Sequence, residues 1–164
     1  MSRALAVGLL LLGSLLIQSP AQAAGITVTT LEGKPSTLAE QITPGHYTVV
    51  MMWTTYCNVC RKQYPIVSAF HDAHTGKTAE VLGLSLDGPE ELTAVQAYVA
   101  KKPFSYPTVV ADSAAMGKMF EAATGEPFTG TPTYLVFNPQ RQLVAFKSGD
   151  LAPGTLDGYV KAKP

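Results

Sequence analysis

An α/β fold, with a mixed central sheet and helices on both of its faces, is what this sequence predicts, and three observations carry the prediction. Two continuous apolar runs, His46–Trp53 and Ala79–Asp87, have the make-up of strands buried on both sides. Stretches with helical spacing alternate with the strands. Near the end, Thr131–Gly149 reads as two strands joined by a turn at Asn138-Pro139, an antiparallel hairpin. One domain is expected, because 164 residues leave little room for a second.

The first segment is read as lying outside that domain. Residues 1–23 carry one basic residue, Arg3, then an apolar stretch from Ala4 to Ile17, then Pro20 and the small-residue pattern Ala21-Gln22-Ala23. That layout predicts a secretory signal peptide cut after Ala23. A retained membrane anchor is the rival, but the apolar stretch falls short of the roughly 20 residues a span needs. The domain is then residues 24–164, long enough to close a core without disulfide staples. Its acids and bases nearly balance, which gives no reason to expect nucleic acid or anionic membrane surfaces as partners.

Within the domain, Ile26–Leu31 alternates like a short strand and Ser36–Ile42 reads as a brief helix. After the first buried strand, Asn58 to His74 turns helical, with Val59, Tyr64, Val67 and Phe70 three to five apart; Pro65 should kink it. Residues 89–102 open with Pro89 and two acids and close with two lysines, which suits both ends of one helix. Tyr106–Asp112 reads as a strand, with Asp112 or Ser113 capping a helix that stops at Gly125. A weak last helix follows the hairpin, from Pro153 to Lys163.

The chain has two cysteines, and they stand three apart at the junction of the first buried strand and its helix. Unpaired amides and the helix dipole stabilise a thiolate at Cys57, and Arg61 and Lys62 add positive charge or simply face water. Cys60, one turn on, can close a small ring with it. Chemically, Cys57 attacks a substrate disulfide and Cys60 resolves the mixed disulfide. A purely structural bridge is the bland rival, but so small a loop removes little unfolded-state entropy. A metal site with His71 and His74 is another. On one helix, however, Cys60 and His71 are about 16 Å apart along the axis, too far to share an ion. Both histidines are therefore read as surface residues. Thr131-Pro132 stands directly before a strand, where a cis bond would be a special feature, although composition alone favours trans.

Two stretches carry a resemblance. "WTTYCNVCRKQYP" resembles the active-site segment of the thioredoxin superfamily, and is most similar to exported TlpA/ResA-like thiol-disulfide oxidoreductases. "GTPTYLVFNPQRQLVAFKSG" resembles their cis-proline loop and following hairpin. The resemblance implies a thioredoxin-like fold with a central strand-helix insertion, at about Val81 to Ala111. It implies Cys57 as nucleophile, Cys60 as resolving cysteine, and Pro132 as the cis-proline facing them. Thr131 would pair with a substrate peptide, and Trp53 and Tyr56 would join the substrate-facing surface, Trp53 by supporting the loop.

Two departures stand out. Tyr56 replaces the usual tryptophan, and Met51 stands where thioredoxins carry a buried aspartate. In the ResA-like branch an acid of the insertion does that aspartate's work, which nominates Asp87 and then Glu90. Each also has a structural excuse, at a strand end and a helix start.

The resemblance implies an exported, periplasmic disulfide reductase. It would be a monomer without a cofactor, acting on protein thiols and disulfides and supplied by a membrane thiol donor. An oxidase or isomerase with the same pair remains open, because Asn58-Val59 between the cysteines matches neither reductase nor strong-oxidase patterns. A copper chaperone or redox-regulated binding module is the alternative of another class, since thiolates suit Cu(I). Packing in a core strand explains Met51 and Met52 more simply.

Overall fold

The structure, a computed structural model, describes residues 25–102 and 104–161. The leader assignment at residues 1–23 lies outside the described residues. Among those described, no helix is long and apolar enough to cross a membrane.

Two short strands, β1 (Thr27–Thr30) and β2 (Pro35–Thr37), precede a one-turn helix α1 (Leu38–Gln41). Then come β3 (Tyr47–Trp53), α2 (Asn58–His74) and β4 (Ala79–Ser85), followed by a 3₁₀ turn at Pro89–Glu91 that leads into α3 (Leu92–Lys101). β5 (Thr108–Val110), α4 (Ser113–Thr124), the hairpin β6 (Thr133–Phe137) and β7 (Leu143–Ser148), and α5 (Thr155–Lys161) complete the order. The seven strands form one sheet in the order β2-β1-β5-β4-β3-β6-β7. β3, β4 and β5 run parallel to one another, and the remaining pairs are antiparallel. This is the mixed sheet expected.

β3 and β4 lie in the middle, and the side-chain alternation of β3 sends its residues into two cores. Val49, Met51 and Trp53 face one core, with Tyr64, Val67 and Phe70 of α2, Val95 of α3 and Leu156 of α5. Val50 and Met52 face the other, with Leu38 of α1 and Met116, Met119 and Phe120 of α4. Helices therefore cover both faces. Each fully buried side chain of this size contributes about 1.5–3 kcal/mol against exposure, which is why both central strands are mostly apolar, with Thr48 and Ser85 the buried polar residues near their ends.

Local signals account for the element ends. Thr37 and Glu40 form a reciprocal capping box at α1. Asp112 caps α4 by accepting from the Ala115 amide, and Gly125 ends it in the left-handed conformation at φ 74°. Asn138 builds the hairpin turn, its side-chain oxygen accepting from the amides of Gln140 and Gln142.

Several expectations need correcting. β2 was not foreseen, since Pro-Ser-Thr has no apolar pattern; its pairing with β1 makes it a strand. The helix expected from Pro89 begins as a 3₁₀ turn, because Gly88 at φ 95° offers no side-chain cap for its first amides. β4 stops at Ser85 rather than Asp87, and β5 is three residues rather than seven. Last, His71 is buried rather than exposed: Nδ1 accepts from the Val81 amide at 3.2 Å, tying α2 to β4. α2 itself runs unbroken through Pro65, whose ring lies on the exposed side.

Candidate active site

β3 ends at Trp53, at the C-terminal end of the central strands, a turn follows over Thr54, Thr55 and Tyr56, and α2 starts at once. Cys57 is the N-cap of α2. Its Sγ accepts from the Cys60 amide at 3.1 Å, one of the donors a helix start leaves unpaired. Cys57 and Cys60 are joined as a disulfide. Their environments differ: Cys57 keeps 9% of its surface, whereas Cys60 keeps none. On reduction, that amide and the helix dipole would favour negative charge on the Cys57 sulfur.

The second part of the site comes from the chain before β6. The Thr131-Pro132 bond is cis, as the family resemblance implied and composition alone did not. Thr131 presents its carbonyl oxygen 3.6 Å from Cys57 Sγ. A disulfide sulfur has no proton to give, so this is a packing contact in the oxidised state. The loop is fixed from behind, because the Pro132 carbonyl accepts from the Gly149 amide at 2.8 Å and the Gly130 carbonyl from the Thr133 hydroxyl at 2.6 Å. Gly130 adopts φ 118°, which a residue with a Cβ would resist.

Around the disulfide, Tyr56 is 74% exposed and Val59 43%. They are two of the few large apolar side chains that the described surface leaves open. Trp53 is different. It is completely buried, so it offers no surface to a substrate and supports the loop from below, edge-to-face with Tyr64 and Phe104 and tilted against Tyr98, with ring centroids 5.3–5.8 Å away. Met51 is likewise enclosed, with the Tyr106 hydroxyl 3.6 Å from its sulfur. Burial pushes the phenols of Tyr64 and Tyr106 well above their ordinary range, so both stay neutral.

The two candidate acids are placed differently from each other. Asp87 points into the loop that carries Cys57. Its carboxylate accepts from the Thr55 amide at 3.0 and 3.2 Å, the Thr55 hydroxyl at 2.6 Å and the Ser85 hydroxyl at 2.6 Å. Glu90 is exposed, with its carboxylate folded against Gly88. Arg61 donates to the Thr55 carbonyl at 3.1 Å and lies over the Tyr98 ring, while Lys62 faces water.

The histidine pair does not join the cysteines. His74 bonds the Thr78 hydroxyl and Asp157, and His71 is taken up as described. Among the described residues, no group of three or more His, Cys, Asp and Glu side chains could hold a metal ion.

One residue was missed. Gln63, buried on α2, accepts from the Leu151 amide at 2.9 Å and the Tyr134 hydroxyl at 3.4 Å, which ties the helix carrying Cys60 to β6 and to the segment after β7. The signal was present: an amide inside the stripe Cys60, Tyr64, Val67 needs a buried partner.

The AhpC/TSA family profile matches residues 20–146. The chain is 22% identical over 145 residues to sporulation thiol-disulfide oxidoreductase A of Bacillus subtilis (strain 168), covering 88% of this chain and 82% of that protein. It shares its fold with the crystal structure of StoA from Bacillus subtilis, at TM-score 0.61 and 20% identity over 82% of this chain and 95% of that one. The structure of MTB dsbF superposes at TM-score 0.67 and 20% identity, over 87% and 97%. A secreted Mycobacterium tuberculosis disulfide oxidoreductase homologous to E. coli DsbE gives 0.62 and 19%, over 84% and 95%. With a thioredoxin-like sheet and a Cys57–Cys60 redox pair at its strand-to-helix junction, the chain belongs to the AhpC/TSA family, on its thiol-disulfide oxidoreductase side.

Proposed function

We propose that this protein is an exported disulfide reductase of the periplasm, acting on protein disulfides as a monomer after removal of residues 1–23. The observation that carries the chemistry is the asymmetry of the pair. Cys57 caps α2 and keeps an accessible edge, while Cys60 is enclosed one turn behind it. In the dithiol form, the Cys57 thiolate attacks one sulfur of a client disulfide, and the other client sulfur leaves as a thiolate that takes up a proton. Cys60 then attacks Cys57 Sγ, expels the second client thiol, and the protein is left as the Cys57–Cys60 disulfide. Two electrons have passed to the client, and a membrane thiol donor restores the dithiol. Thr131 and Pro132 flank the client segment, with Tyr56 at its rim.

The equilibrium reduction potential of Cys57–Cys60 in thiol redox buffers tests the direction. A value near the thioredoxin figure of about −270 mV supports the reductase; one near about −120 mV overturns it in favour of an oxidase. N-terminal sequencing of protein recovered from the periplasm tests the leader, with Ala24 as the expected first residue.

A further inference from the structure

Thr55 stands two residues before Cys57 and is gripped from both sides. Its amide and its hydroxyl both donate to the Asp87 carboxylate, and its carbonyl accepts from Arg61. The acid is itself fixed. The fully buried Ser85 donates to Asp87 Oδ2 at 2.6 Å and accepts from the Asp87 amide at 3.2 Å. Without these bonds the turn over Thr54–Tyr56 has little to hold it, beyond the Cys57 amide donating to the Thr54 carbonyl at 3.2 Å.

We propose that Asp87, acting through Thr55, is a positioning residue for the attacking sulfur. The Asp87–Thr55–Arg61 clamp holds Cys57 in line with the incoming disulfide, and this, rather than proton exchange with Cys60, is the acid's part in the reaction. The inference rests on the exchange reading given above. Its physical basis is that attack on a disulfide is strongly directional: misplacement of a reacting atom by about 1 Å costs on the order of 10²-fold in rate. Charged partners on the two successive peptide units that meet at Thr55 remove that freedom before the client arrives.

The test is a double-mutant cycle on the reduced full chain, using oxidised glutathione as the disulfide and reading both the second-order rate of attack and the mixed disulfide by mass spectrometry. Asp87→Asn and Thr55→Val should each slow attack about tenfold, and the double variant should be no slower than the slower single, because the two act as one unit. Thr55→Ser, which keeps the hydroxyl, should restore most of the rate, and no variant should accumulate the Cys57–glutathione adduct. Independent, multiplying effects would overturn the clamp. So would a fast Thr55→Val beside a slow Asp87→Asn, or adduct building up in Asp87→Asn, which would give the acid to Cys60. If Asp87→Asn fails to fold, Thr55→Val and Thr55→Ser alone decide the question. Exchange that survives Cys57→Ser would refute the exchange reading itself, a result separate from any failure of the clamp.

Discussion

Gly83 sits in β4 between Met51 of β3 and Thr108 of β5, directly under the Trp53 ring that supports the active-site loop. A Cβ added there would lie 2.7 Å from Thr108 Oγ1, 3.2 Å from Tyr106 Cε2 and 3.3 Å from Trp53 Nε1. None of these neighbours can step aside cheaply. Thr108 is β-branched and buried, so its χ1 is stiff, and Trp53 is enclosed by three other rings. With a contact as short as 2.7 Å, Gly83→Ala should therefore sit in the upper part of the overpacking range, about 2–3 kcal/mol, offset by about 0.4–1 kcal/mol from the stiffer unfolded chain, for a net loss of about 1–2.5 kcal/mol. Urea denaturation of the oxidised protein reads this as a lower midpoint at unchanged slope, and a thermal midpoint lower by about 3–6 °C accompanies it. Thr108→Ala removes the closest atom, a hydroxyl with no partner in the fold, so Gly83→Ala should lose most of its cost in that background, with the 3.2 and 3.3 Å contacts left. Thr108→Val puts a methyl where the oxygen was and should give no relief. A neutral Gly83→Ala, or a loss that Thr108→Ala leaves intact, would refute the packing argument.

Cys60→Ser should still be attacked through Cys57 but stop there, accumulating a mixed disulfide with a small disulfide substrate, whereas Cys57→Ser should abolish exchange; mass spectrometry of the products checks both. Thr37→Ala removes one half of the α1 capping box and should cost about 1 kcal/mol in urea denaturation. Glu80 provides a pH test. Burial raises its carboxyl, but the Gly76 amide, the Thr75 hydroxyl and His71 together outweigh this and hold it below the ordinary 4.5. The folded state thus prefers the anion. Its contribution is complete above pH 4.5 and is lost as the pH falls through the lower folded value. Glu80→Gln should be less stable than the parent at neutral pH, and the gap should close on acidification below 4.5; a constant gap would refute the assignment.

The parts of the fold that were legible are those whose signal is local. β3 and β4 are apolar on both faces because helices cover both, and that leaves a continuous run in the sequence. The ends of α4 were legible because Asp112 and Gly125 act within one turn of themselves. β2 was not, because nothing in Pro35-Ser36-Thr37 encodes a strand until β1 lies beside it. His71 was read as a surface residue although it falls in the stripe Tyr64, Val67, Phe70, His71 that faces the core. A polar residue inside an apolar stripe should be assigned a buried partner first, and here that partner is the Val81 amide. Gln63 teaches the same lesson two turns earlier.

The site divides along the same line. The placement of Cys57 depends on a strand end and a helix start that adjoin in sequence, so the spacing of two cysteines was enough to find it. The acid was different, because choosing between Asp87 and Glu90 requires a register. β3 and β4 run parallel, with Tyr47 opposite Ala79 and Trp53 opposite Ser85, a constant offset of 32 residues. Carried two residues past the end of the ladder, that offset sets Asp87 against Thr55, the pair the hydrogen bonds join. The same offset would match Glu90 to Asn58, but the chain has by then turned at Gly88 into a 3₁₀ helix, and Glu90 leaves the ladder's path for solvent. Parallel pairing thus directs Asp87 to the backbone of the cysteine loop. An acid brought in by register two residues short of Cys57 is placed to hold the peptide that carries the sulfur.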